Sequence, residues 1–240
     1  MAKESLSYIL SRFLGSIDRD EKVDNSIPLL ESILGIYRSV TQNASVPTQV
    51  HTFMLDDDST SSIIEFLKNI LNSQGITDMS RLNSPLSYLL DELICNIQQH
   101  AHTDNGYAFI NYDLATKCIE IIIADTGITI YGSYVSAQKY LDLIGNSDAS
   151  ALSLAQDGYS TKNLPDAENR GYGISSNIRM VVEGLLGEFA VLSGNALLVH
   201  LADNKKILSL PQEIDFKGTM VIVRFPATVP DNFNLYNYTN

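Results

Sequence analysis

Two long apolar runs, YAFINYDL (residues 107–114) and KCIEIIIAD (residues 117–125), are separated only by Ala115 and Thr116. They read as adjacent paired strands. The second carries its apolar residues directly into Asp125, Thr126 and Gly127. A carboxylate at the end of a buried strand, followed by glycine, suits a hydrogen-bond acceptor facing a ligand in a partly desolvated pocket. The same three residues also read as an ordinary strand-terminating turn.

The segment ahead of these runs predicts a helix. It opens at Asn83–Ser84–Pro85 and continues to about His102, with Leu89, Leu90, Leu93, Ile94 and Ile97 as its apolar surface. Within it, DELICNIQQHA places Glu92, Asn96 and His100 four residues apart, one above another on a single face. Such a stripe is either a solvated helix face or a set of polar groups aimed at something that needs them.

Around this centre, helical periodicity runs over residues 4–15 and roughly 23–40, which predicts a helical appendage at residues 1–45. TQVHTFMLD reads as a strand, and a helix is expected from about Ser59 to Asn72, capped by Asp58 or Ser59 and closed before Gly75. An irregular region spans roughly residues 131–170, and a further helix is predicted from about Tyr172 to Leu186. GEFAVLSG, ALLVHLA, KILSL and GTMVIVRFP then read as three or four strands, and residues 228–240 as a tail. Helices, two strands, an irregular insert, a helix and a meander together favour an α+β fold. The expected form is a two-layer α/β sandwich whose mixed, mostly antiparallel sheet carries helices on one face.

Composition narrows the function. A net charge of −12 and a pI of about 4.6 argue against nucleic acid or an anionic membrane as the main partner. No run of 18 uninterrupted apolar residues occurs and the N-terminus lacks a signal-peptide pattern, so a cytoplasmic protein is expected. Cys95 and Cys118 read as buried free thiols, and only His100 and His102 of the four histidines are close in sequence, which disfavours zinc. Gly171 and Gly173 lie before or inside the first turn of the helix from Tyr172, where backbone N–H groups and the helix dipole favour phosphate. Lys162 and Arg170 flank them and can neutralise its charge.

DELICNIQQHA, IADTGITI, GYSTK, NRGYGIS and GTMVIVRFP, in that order, resemble the ATP-binding domain of the GHKL superfamily, the Bergerat-type or histidine-kinase-type ATPases, over residues 46–227. The resemblance implies magnesium and ATP as cofactors. It makes Asn96 the magnesium ligand, Glu92 the general base or water-positioning group, and His100 a packing or phosphate-proximal residue. Asp125 would accept the exocyclic amine of adenine, Gly127 would let the base approach, and Thr219 would sit at the adenine edge with a bound water. Gly171 and Gly173 would underlie the phosphates, while Ser160, Thr161 and Lys162 would lead into an ATP lid. Thr129 stands where the family usually has a second glycine, a β-branched residue expected to stiffen and crowd that turn. Asn169 replaces the first glycine of the phosphate loop, although asparagine tolerates a left-handed backbone.

Within that superfamily, the 14 residues after Pro226 disfavour a clamp with its own transducer domain. His51, the only histidine before the motif helix, lies in an expected strand and is a poor phosphoacceptor. The layout is most similar to anti-sigma-factor serine kinases. The expectation is therefore a Mg-ATP-binding regulatory kinase or ATPase with a protein partner, its N-terminal helices serving interaction or dimerisation. The alternative is a module in which ATP controls partner binding with little or no turnover. Asp-Thr-Gly is also the aspartic-protease signature, but that chemistry pairs two such motifs and this helix-rich chain has one.

Overall fold

The computed structural model describes residues 51–55, 59–76, 79–114, 116–161, 173–202, 204–210 and 215–239. The expected helices at residues 4–15 and 23–40, the Asp58 cap and residues 162–172 lie outside them. The elements are β1 (His51–Met54), α1 (Ser59–Ser73), α2 (Asn83–His100), β2 (Asn105–Asp113), β3 (Cys118–Asp125), α3 (Ile130–Ala137), α4 (Leu141–Ile144), α5 (Asp148–Gln156) and α6 (Gly173–Arg179). After α6 come a π-helical turn (Met180–Gly184), β4 (Glu188–Gly194), β5 (Ala196–Leu201), β6 (Asn204–Ser209), β7 (Phe216–Pro226) and a 3-10 turn (Leu235–Asn237).

Seven strands form one sheet in the order β1-β2-β3-β7-β4-β5-β6. Every pairing is antiparallel. Because β7 is inserted between β3 and β4, those two strands run in the same direction, and the helical stretch α3–α6 forms the crossover between them. The α+β sandwich read from the sequence is thus the observed fold. Asp104, Asn105 and Gly106 are turn-forming residue types, yet Asn105 and Gly106 already pair with Met54 and Phe53 in the ladder.

A small buried cluster gathers Tyr134, Ile144 and Ala151 within the crossover, and a larger one lies between the sheet and the helices. From α2 it takes Leu86, Leu89, Leu90, Leu93, Ile94 and Ile97, a stripe at three- and four-residue spacing. From the sheet it takes Ile119, Ile121 and Ile123 of β3, Val221, Val223 and Phe225 of β7, and Phe189 and Val191 of β4. Each is an alternate residue, as a pleated strand requires. Leu89, Leu90 and Ile94 are among the largest fully buried side chains; each stabilises the fold by about 1.5–3 kcal/mol. That packing fixes α2 rotationally and turns its polar stripe toward the crossover helices.

The helix expected from Tyr172 to Leu186 is interrupted. After Arg179 the backbone widens, with Leu185 N–H donating to the Met180 carbonyl at 2.8 Å. The segment read as a tail lies on this turn: a side chain at Gly184 would collide with the rings of Phe233 and Tyr238, and Arg179 lies over the Tyr238 ring and donates to the Asn237 carbonyl. Both cysteines are half-buried thiols rather than buried ones, and Cys95 Sγ accepts a hydrogen bond from Gln99 Nε2 at 2.9 Å.

The residues that alternate with the core point to the sheet's other face, and four polar ones form a row across it. Asn111 pairs with Glu120, Glu120 with Arg224 and Arg224 with Glu188. Asn111 Nδ2 donates to Glu120 Oε2 at 2.7 Å and Arg224 Nε to Glu120 Oε1 at 3.1 Å. Burial pushes the Glu120 carboxyl up to about 8 against the pull of Arg224. That value exceeds the ordinary 4.5, so stability contributed by Glu120 is present below pH 4.5 and lost as the pH rises through about 8. Removing Arg224 widens the gap. The gap opens only above pH 8, so Arg224→Leu should cost on the order of 2 kcal/mol more at pH 10 than at pH 6, where Glu120 is protonated in both proteins, and Glu120→Leu in the same chain should remove that difference. Urea unfolding at the two pH values checks this; an equal loss at both would show that Arg224 acts by packing alone.

Candidate functional site

A cavity of about 260 Å³ opens between α2, the ends of β3 and β7, and the crossover helices. Glu92, Asn96 and His100 line it from one side, and Asp125 and Thr219 from the sheet. Ser160, Thr161 and Gly173 also contribute. Of the residues expected at the site, these are brought together by the tertiary structure. Lys162, Arg170, Gly171 and Asn169 lie outside the described residues.

Asp125 anchors the arrangement. It closes β3, is 2% exposed, and accepts the Gly127 N–H on Oδ1 at 2.9 Å and a second backbone N–H from Thr219. A carboxylate offers about four lone-pair positions, so acceptor capacity remains for a ligand. Burial pushes its pKa up to about 7, the two N–H donors only partly opposing this.

The local backbone explains how this group is held. A bulge between β4 and β7 shifts the register after Ser193 and leaves Gly218 with φ +110°, a conformation L side chains rarely adopt. Any Cβ there would overlap the Asp125 carbonyl. Ser193, 1% exposed, ties the pieces together: its Oγ accepts the Ile130 N–H at 2.9 Å and lies 3.1 Å from both the Gly218 carbonyl and Thr219 Oγ1. Sequence reading missed Ser193. Its one signal was a Ser-Gly pair at the end of an apolar strand, and that pair reads as a turn.

Two glycines differ in role from what the sequence implied or left open. Gly127 does not line the cavity; a Cβ at this position would overlap the Ala101 carbonyl oxygen. Its smallness admits the end of α2, whose Ala101 carbonyl accepts the Ile128 N–H at 2.7 Å. Gly173 faces Asn96, and a Cβ would come within 3.2 Å of Asn96 Oδ1. A side chain there would crowd the amide that the resemblance makes a metal ligand.

Thr129 does not crowd its turn. Its backbone is extended, φ −72° and ψ 169°, and its side chain caps α3 by accepting the Gly132 N–H at 2.9 Å. A side-chain hydrogen bond also joins it to Asp148, whose carboxylate accepts the Asn195 N–H at 3.2 Å.

The wall opposite α2 comes from α3 and the residues after α5. The buried Tyr134 donates its hydroxyl to the Tyr159 carbonyl at 2.6 Å, and Ser133 Oγ lies 3.1 Å from Thr161 Oγ1. Thr161 Oγ1 in turn lies 3.1 Å from His100 Nδ1. Neither Ser133 nor Tyr134 carries a sequence signal, since both sit in a region read as irregular.

Asp125 yields a test independent of any ligand. Its folded pKa of about 7 exceeds the ordinary 3.8, so its contribution to stability is present below pH 3.8 and lost as the pH rises through about 7. Asp125→Asn keeps one acceptor oxygen and removes the charge. It should therefore be more stable than the parent by on the order of 2 kcal/mol at pH 8, with the advantage shrinking toward zero at pH 4. Thermal melts of both proteins at the two pH values check this, and a gain that is the same at pH 4 and pH 8 would remove the assigned cause.

Among the described residues no helix is long and apolar enough to cross a membrane. No protein-family model matches the chain, and neither does any curated protein.

Proposed function

We propose that the cavity binds ATP with magnesium and that the protein is a regulatory kinase or ATPase of the GHKL type. The observation that carries this reading is the meeting of Glu92 and Asn96, one helical turn apart on α2, with Asp125 from β3 in a single cavity. Sequence alone required only that the first two share a helix face.

The donor set fits the proposed cofactors. Among the described residues no group of three or more His, Cys, Asp or Glu side chains could hold a metal ion. Asn96 would then be a lone neutral protein oxygen for magnesium, an ion that commonly keeps waters and takes substrate phosphate oxygens as its remaining ligands. When bound there, magnesium would neutralise phosphate charge as it develops. Asp125, held by two backbone donors, would take the exocyclic amine of adenine on its remaining lone pairs. Leu93, Ile97, Ile123, Ile128 and Val221 supply apolar walls that exclude water from these hydrogen bonds. Glu92, half-buried on the same face as Asn96, would take the proton of an attacking water or protein hydroxyl.

A second reading, nucleotide-controlled partner binding with little turnover, is favoured by a separate observation. Val135, Leu141, Leu143 and Tyr159 are exposed on the helices and segment beside the cavity, Leu143 to 60%. Apolar side chains exposed close together suit a protein partner.

Calorimetry with magnesium and a non-hydrolysable ATP analogue, paired with a turnover assay, tests both readings. Glu92→Ala should bind like the parent while losing about 100-fold or more in turnover, and Asn96→Ala should lose the magnesium dependence of binding. Because ionised Asp125 accepts an N–H more strongly than its protonated form, affinity should rise from pH 6 to pH 8, by up to about tenfold, opposite in sign to its effect on stability. Absence of nucleotide uptake by the parent protein would end the reading. Uptake without turnover or transfer would select the binding module.

A further inference from the structure

Ser133, Thr161 and His100 form a continuous hydrogen-bond chain along the cavity wall, with links of 3.1 Å and 3.1 Å. All three line the cavity and come from separate places: α3, the segment after α5, and the last turn of α2. The Tyr134 hydroxyl bond to the Tyr159 carbonyl holds the backbone two residues before Thr161.

A hydroxyl carries one proton, so the direction of this chain is set at its histidine end. If His100 Nδ1 lacks a proton, Thr161 donates to it, Ser133 donates to Thr161, and Ser133 offers the cavity only lone pairs. If Nδ1 carries a proton, His100 donates to Thr161, Thr161 donates to Ser133, and the Ser133 proton is released toward the cavity. We propose that Ser133 is a ligand-binding residue whose hydrogen-bond polarity is set by His100 through Thr161, so that the wall selects a ligand presenting acceptor oxygens. Resting on the nucleotide reading above, those oxygens belong to its sugar–phosphate portion. His100 is then a positioning residue, acting on the ligand through two hydroxyls, and binding traps its Nδ1-protonated form.

The experiment uses the full chain with histidine ring nitrogens labelled for NMR, magnesium with a non-hydrolysable ATP analogue as the probe, and His100→Gln to identify the His100 signals. Addition of the probe should move His100 to the Nδ1-protonated form. Thr161→Val should abolish that shift and weaken binding about tenfold, and Thr161→Ser should restore both. Ser133→Ala should cost a similar factor, and the double variant Ser133→Ala/Thr161→Val no more than either alone, because one chain is broken twice. The proposal is overturned if Thr161→Val binds as the parent does with His100 nitrogen signals unchanged, or if the two losses simply multiply. If the parent takes up no nucleotide, the reading of the previous section fails and the choice of ligand fails with it. The chain itself is then judged in the ligand-free protein: Thr161→Val must alter the His100 ring nitrogens, and unaltered signals overturn it.

Discussion

The site is organised by the hydrogen bonding of one buried carboxylate, Asp125, to two backbone N–H groups. A charge taken out of water at the end of β3 is tolerable only if fixed dipoles replace its hydration. Gly127 and Thr219 provide them from opposite directions, one from the turn that follows and one from β7. Meeting that demand bends the surrounding backbone. Gly218 adopts a positive φ, β4 and β7 shift register, and Ser193 joins the displaced strand to the start of α3. The carboxylate is nevertheless left with a raised pKa, so the group best placed to recognise a ligand also weakens the fold at neutral pH. Strain and burial gathered around one group in a cavity are what a binding site asks of its scaffold.

Glycine and threonine at this site illustrate how similar local sequence can serve different ends. Gly127 was expected to clear space for a ligand; the space it clears is for the carbonyl at the end of α2. That contact still matters to the site, because it locks the helix carrying Glu92, Asn96 and His100 to the turn carrying Asp125. Thr129, expected to crowd, instead caps α3 and bonds Asp148. Two side-chain hydrogen bonds thus fix this turn.

Both faces of the sheet bury apolar residues, Ile121 and Val223 toward the helices and Phe109, Ile122, Ile222 and Leu192 on the other, and the second also carries a polar row. Toward the helices it presents alternating aliphatic residues that pack against α2. On the other side it carries a row of Asn111, Glu120, Arg224 and Glu188, whose partners are set by strand register. A one-residue slip would turn that row into the apolar core, so it opposes misregistration beyond any stability it supplies. The row leaves no periodic trace in a strand such as CIEIIIAD, where one glutamate among isoleucines is simply an interruption.

Much of this was legible before any coordinates. Continuous apolar runs identified the long strands, which are buried on both faces, and the 3.6-residue period identified α1 and α2, because burial of one helix face forces apolar residues to recur at the helix's own repeat. The four-residue spacing of Glu92, Asn96 and His100 put them on one face of α2 for the same reason. Other features depended on contacts between residues far apart in the chain. Insertion of β7 between β3 and β4, the widened turn after Arg179 and the seating of residues 228–239 on it leave no local pattern. The Ser193 hub and the Ser133–Thr161–His100 chain are likewise single hydroxyls whose partners lie 25–63 residues away. Local sequence determined which residues share a surface, since helix and strand geometry are properties of the backbone. Tertiary structure alone decided which surfaces meet, since that depends on how a whole core packs.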